Sequence, residues 1–187
     1  MVDAIYCSHV IEHIEDEFVQ RMLEECYRVL KRGGILRIAC PDADFIYDVS
    51  KVNSEYWNWR LNWFNSEFLK YDYEPRNVDY LVRELATPKL LHYKYGVNET
   101  DYINDFHSLS RDDFLEKIVE GLKFRDYAVG DHINYWNYSK LERMLQNAGF
   151  TIIIQSIYGG SCCEEMTDMS KFDQTNPQLS LYVEAIK

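Results

Sequence analysis

Ser8, His9, Glu12 and His13 place a hydroxyl, two imidazoles and a carboxylate within six residues. Histidine is the side chain whose ordinary titration suits proton transfer near neutral pH, so His9 and His13 are candidate bases. His9-Val-Ile-Glu-His13 also matches H-x-x-E-H, in which two His at i and i+4 share a metal and the Glu acts as base. That chemistry needs the motif inside a helix and a third protein ligand. Here it spans a strand end and the turn into a helix, so metal-dependent hydrolysis is the weaker alternative and no metal is expected. The plain reading is a polar turn whose His and Glu satisfy each other. His107 and His132 are the remaining histidines considered for proton transfer.

The cluster is positioned by a short apolar strand, Asp3 to Ser8, and ligands of parallel α/β sheets bind just outside the carboxyl ends of strands. Asp16 to Lys31 reads as a helix. Phe18, Met22, Leu23, Cys26, Val29 and Leu30 form its apolar face, with acids at its start and Arg28, Lys31 and Arg32 at its end. Gly33-Gly34 is expected as its left-handed C-cap. Ile35 to Cys40 is a second strand, stopped by Pro41-Asp42. Strand, helix and strand make a right-handed βαβ unit.

Residues 44–136 break this rhythm and read as an aromatic-rich helical insertion. A helix over 53–73 carries one stripe of Tyr56, Trp59 and Trp63 and another of Trp57, Leu61, Phe64 and Phe68, so it is expected to be sandwiched. Tyr71 and Tyr73 continue its aromatic run. Helices are also expected over 77–86 and 111–122, the latter N-capped by Ser110; 87–109 reads as turn-like. Ser139 and Glu142 fit a capping box, Leu141, Met144, Leu145 and Ala148 form a helical stripe, and Gly149 closes it. Strands follow at 151–158 and 180–186, joined by a polar loop, and are expected to pair antiparallel. The last alternates enough to be partly exposed.

At 187 residues, 47% hydrophobic and 27% charged, the chain is expected to be a single domain with a core built from 1–43 and 137–187. A formal charge of −11 argues against nucleic acid or an anionic membrane surface as partner. No apolar run is long enough to span a membrane and no basic-then-apolar leader opens the sequence. The five cysteines lack metal-type spacing and suit the reduced thiols of a cytoplasmic protein.

The blocks DAIYCSHVIEHI, CYRVLKRGGILRIACPD, YSKLERMLQNAGF and LSLYVEAIK together resemble the second half of a class I S-adenosylmethionine-dependent methyltransferase. The nearest resemblance is to the small enzymes linked to sugar and polysaccharide modification. It implies a Rossmann-like α/β sheet with S-adenosylmethionine as cofactor and a small polar or sugar-type acceptor. Cys7, Ser8 and His9 would touch the cofactor, Pro41 and Asp42 would face it across the cleft, and His9, His13 and His132 are the candidate catalytic groups. Glu12 and His13 would cap the helix or face the acceptor.

The departure concerns glycine. The family binds its cofactor through a Gly-rich loop after the first strand, and none of the eight glycines here makes G-x-G. The expectation is therefore a truncated sheet of about four strands, ordered first, second, fourth, third. Its 3–8 strand would lie at an exposed edge, inviting a homodimer through that edge or through the aromatic insertion. The alternative is a dimerising, non-catalytic binding module of the same fold.

Overall fold

A computed structural model describes residues 1–52, 55–67, 74–97 and 101–187. They divide into two units: Met1–Asp42 with Trp136–Lys187, and Ala43–Tyr135.

The first unit holds one four-stranded sheet. Strand β1 (Val2–Ser8) is followed by helix α1 (Asp16–Val29) and strand β2 (Leu30–Pro41). Near the other end of the sequence come a helix at Tyr138–Ala148 and two strands at Ile152–Ser156 and Ser180–Ile186. The strand at 180–186 lies between β2 and the strand at 152–156, antiparallel to both, while β1 and β2 run parallel. This is the expected mixed α/β sheet and the expected strand order.

Alternation along the inner strands divides two chemistries. Leu36, Ile38 and Cys40, with Leu181, Val183 and Ala185, join Val19 and Leu23 of α1 and Leu141 and Leu145 of the 138–148 helix in the apolar core. Arg37, Tyr182 and Glu184 occupy alternate positions of the same strands, so they belong to the opposite face. There Arg37 is fully buried. Its guanidinium donates to Asp173 (Nε–Oδ1 3.1 Å), to Glu184 (Nη1–Oε1 3.1 Å) and to the carbonyls of Ile157 (3.0 Å) and Gly160 (2.7 Å). The 180–186 strand is therefore interior, not partly exposed as its alternation suggests: its Glu is buried by pairing with Arg37. The exposed strand is 152–156, where Ile152 is 52% exposed.

The expected glycine cap is also displaced. Helix α1 ends at Val29, with Leu30 already extended. Gly33, at φ 75°, sits in an irregularity of β2, where Val2 pairs with Leu30 but Ala4 with Ile35. A Cβ on Gly34 would come within 2.9 Å of the Lys31 carbonyl and 3.0 Å of the Asp3 carbonyl, so only glycine fits. The 138–148 helix is capped by Asn137, whose side chain accepts from the Lys140 N–H, rather than by Ser139. Gly149 closes it in the left-handed region, as expected.

The second unit is helical. Helix α2 (Ala43–Val52) buries Ala43, Ile46, Tyr47 and Ser50 on one face. A 3-10 turn at Glu55–Trp59 then leads to α3 (Leu61–Glu67). The long sandwiched helix over 53–73 is thus corrected: Trp57 and Phe64 are buried beside Tyr80, but Trp59 and Trp63 are 42% and 39% exposed. The break at Arg60 rotates the two aromatic stripes out of register. Phe68, Tyr71 and Tyr73 lie outside the described residues. Helices α4 (Asn77–Leu85), α5 (Tyr102–Ser108) and α6 (Arg111–Val119) follow, and the helix at Tyr138–Ala148 is α7; the two later strands are β3 (Ile152–Ser156) and β4 (Ser180–Ile186). Ser110 caps α6 by accepting from the Asp113 N–H. Helices α2 and α5 were not expected from the sequence.

Candidate functional site

The carboxyl ends of β1 and β2 lie side by side, with Cys7 opposite Ile38 and Ser8 opposite Ala39. Immediately after Ser8 the chain turns sharply. His9 takes φ 52° and its N–H donates to the Ala39 carbonyl at 2.8 Å. A 3-10 turn, Ile11–His13, leads toward α1. The H-x-x-E-H stretch is accordingly a strand end followed by a tight turn. His9 and His13 do not share one α-helical face, which removes the geometry that a helical zinc motif requires.

His9 is clamped. Its Nδ1 lies 3.0 Å from Glu12 Oε1 and its Nε2 2.9 Å from Ser180 Oγ, with both the His9 and Glu12 side chains almost wholly buried. Ser180 Oγ donates to the Asn176 carbonyl at 2.8 Å, leaving a lone pair for His9. Nδ1 thus faces a carboxylate and Nε2 a hydroxyl, so both ring nitrogens have a partner. The expectation of a polar turn whose His and Glu satisfy each other describes this arrangement. Ser180 was missed because it lies 171 residues from His9 and no local pattern links them.

The same end of the sheet holds several unmatched polar groups. Ser8 Oγ and Glu12 Oε2 are buried without a hydrogen-bond partner among the described residues. So is the indole N–H of Trp136, which forms a parallel bridge with Asp42 just after β2. Asp42 is held by its backbone N–H donating to the Leu179 carbonyl at 2.8 Å. Burial, and then the nearby Glu12 carboxylate, push the Cys7 thiol up to about 12; the same two causes raise Cys40 well above the ordinary thiol value. Both are protonated, inert thiols at neutral pH.

The structure thus brings Cys7, Ser8, His9, Pro41 and Asp42 to two adjacent strand ends, with His13 in the turn that follows. His132 belongs to the helical unit. It is 6% exposed, its Nδ1–H donates to the Glu84 carbonyl at 2.6 Å, and its backbone N–H donates to Thr87 Oγ1 at 3.0 Å.

Residues 1–38, the segment from β1 into β2, match a known family. That family is described as a methyltransferase domain, and the match covers this segment alone. The resemblance read from the sequence is therefore supported independently over the βαβ segment that bears the cluster. No curated protein matches the chain. Among solved structures, a SAM dependent methyltransferase from Archaeoglobus fulgidus aligns at 12% identity and a TM-score of 0.40, covering 100% of this chain and 59% of that one. PKMT2 from Rickettsia typhi aligns at 14% identity and a TM-score of 0.36, covering 98% of this chain and 35% of its own. Its complex with AdoHcy gives a TM-score of 0.35 at the same identity. The chain spans less than two thirds of the length of each of these structures. Among the described residues no helix is long and apolar enough to cross a membrane.

Proposed function

We propose that this chain forms part of an S-adenosylmethionine-dependent methyltransferase acting on a small polar or sugar-type acceptor. The observation that carries the reading is the polar strand-end cluster in the segment that matches a methyltransferase domain, where Ser8 Oγ, Glu12 Oε2 and the Trp136 indole N–H are buried without a hydrogen-bond partner among the described residues. The fit to the cofactor is chemical. Ser8 offers a hydroxyl, Trp136 an N–H donor and Glu12 a carboxylate oxygen, and S-adenosylmethionine carries acceptors, hydroxyls and an ammonium that complement them. Cys7, Ser8, His9, Pro41 and Asp42 would hold it. When bound, the group would supply a methyl carbon already activated by its sulfonium.

The chain's own residues then have positioning work. Methyl transfer to a good nucleophile depends mainly on holding the two reactants in line. The clamped His9 fixes the loop after β1, and the protonated Cys7 keeps a reactive thiolate out of the cleft. His13 is the group of this cluster proposed to take a proton from a poorly nucleophilic hydroxyl; for His132, in the helical unit, that role rests on the sequence resemblance alone. The sugar-type acceptor rests on the sequence resemblance.

Calorimetric titration with S-adenosylmethionine and S-adenosylhomocysteine tests the proposal. Saturable heat that Ser8→Leu abolishes is the expected result; heat at the level of dilution overturns cofactor binding by this chain. The G-x-G-free sequence favours a second reading for that outcome: a binding module of the same fold that pairs through β1.

A further inference from the structure

We propose that the helical unit carries a phosphate-binding site, separate in its residues from the strand-end cluster and independent of the methyltransferase reading. A cleft of about 460 Å³ is lined by the C-terminal turn of α2, the N-terminus of α4 and the side chains of α5. Ser50, Lys51, Arg76, Asn77 and His107 are among its lining residues.

Three features converge there. Ser50 is 3% exposed, and its hydroxyl is buried without a partner. A hydroxyl removed from water and left unmatched is unfavourable in the free protein, so its place at a cleft points to a ligand that completes it. Lys51 is the second feature. Its ammonium donates to the Phe106 carbonyl and lies 3.9 Å from the centre of the Phe106 ring and 5.2 Å from that of Tyr47. These contacts hold the cation in place without neutralising it. The third is the start of α4, where the amides of Asn77 and Val78 have no acceptor within the helix.

One carboxylate competes for this end. Asp79 accepts the Arg76 N–H at 2.6 Å and pairs with the Arg76 guanidinium. However, Asp79 is itself fully buried and also accepts from the Tyr102 hydroxyl at 2.6 Å. It cancels Arg76 and leaves Lys51, so the cleft is net positive within a chain of charge −11. The hydroxyl and the ammonium come from the end of α2 and the amides from the start of α4, so the donors approach the cleft from two elements. That spread suits the three terminal oxygens of a phosphate group better than the two of a carboxylate.

Phosphorus NMR line broadening and thermal unfolding of the full chain test the site with inorganic phosphate, glycerol 3-phosphate and acetate. Saturable phosphate binding is expected, weakened about tenfold by Lys51→Met. Ser50→Ala is expected to weaken binding while leaving the free protein at least as stable, because it removes an unmatched hydroxyl; a merely structural serine would give lower stability and unchanged binding. Tighter binding of glycerol 3-phosphate assigns the site to a phosphorylated organic molecule, and equal binding to free phosphate. Absence of saturable binding, equal affinity for acetate, or indifference to Lys51→Met overturns the proposal.

Discussion

Arg37 sets the most consequential residue-scale energetics. A buried guanidinium is tolerable only while its carboxylates are ionised. Burial alone would raise the Glu184 pKa, but hydrogen bonds from the Ser161 hydroxyl and the Cys162 N–H, together with Arg37, outweigh it and hold the carboxyl below its ordinary value of 4.5. A group depressed in the folded state stabilises the fold at pH above its unfolded pKa and loses that contribution as pH falls through the folded value. Stability is therefore expected to decline below about pH 4.5 and onward into acid, in urea melts followed by circular dichroism. Asp173→Asn is expected to cost roughly 3–5 kcal/mol, because it strips charge from a bidentate partner of a buried cation. A loss under about 1 kcal/mol would show that the pair behaves like a surface salt bridge. Neither Asp173 nor its role is legible in the sequence: it lies 136 residues from Arg37 in a stretch that reads only as polar loop.

At the scale of elements, the reading from sequence succeeded where one periodicity ran uninterrupted. β1, α1, α7 and the β3–β4 pair each follow a stripe or an apolar run, although the alternation of β4 suggested the wrong exposure. It failed where two stripes coexist, as in 53–73, since two apolar faces are equally compatible with one helix and with a broken pair. It also failed at caps, where a single hydrogen bond chooses between neighbours. The α7 start is a direct test. Asn137→Ala is expected to cost about 1 kcal/mol and Ser139→Ala within a few tenths of that of a surface change; the reverse order would restore the capping box. Gly34→Ala should be costlier than a simple propensity effect, on the order of 1–3 kcal/mol, because its Cβ would meet the Lys31 and Asp3 carbonyls. The strand-end cluster itself was legible as a place. Its internal wiring was not, because Ser180 comes from β4.

For the whole molecule, β1 lies at one edge of the sheet and β3 at the other. Among the described residues β1 pairs with a strand on one side only, and such an edge templates another strand. The proposal of a homodimer through β1 predicts a dimer mass by light scattering coupled to sizing, reduced to a monomer by Ile5→Pro. A monomer at every concentration would overturn it. The cysteines give a second whole-chain readout. All five are free, with Cys40 buried and Cys162 exposed. Alkylation of the native protein at neutral pH is expected to reach Cys162 well before Cys7 or Cys40, whose burial keeps them as thiols.

The order of the sheet also sets a timetable. β2 acquires its first neighbour almost at once, from the strand just before it, but its second neighbour, β4, is about 140 residues downstream. At roughly 5–20 residues per second of synthesis, the centre of the sheet waits on the order of ten seconds with one side open. Arg37 waits with it, since both of its carboxylates, Asp173 and Glu184, arrive only in that last stretch. Lower growth temperature and added chaperone are therefore expected to raise the soluble fraction of this chain after expression.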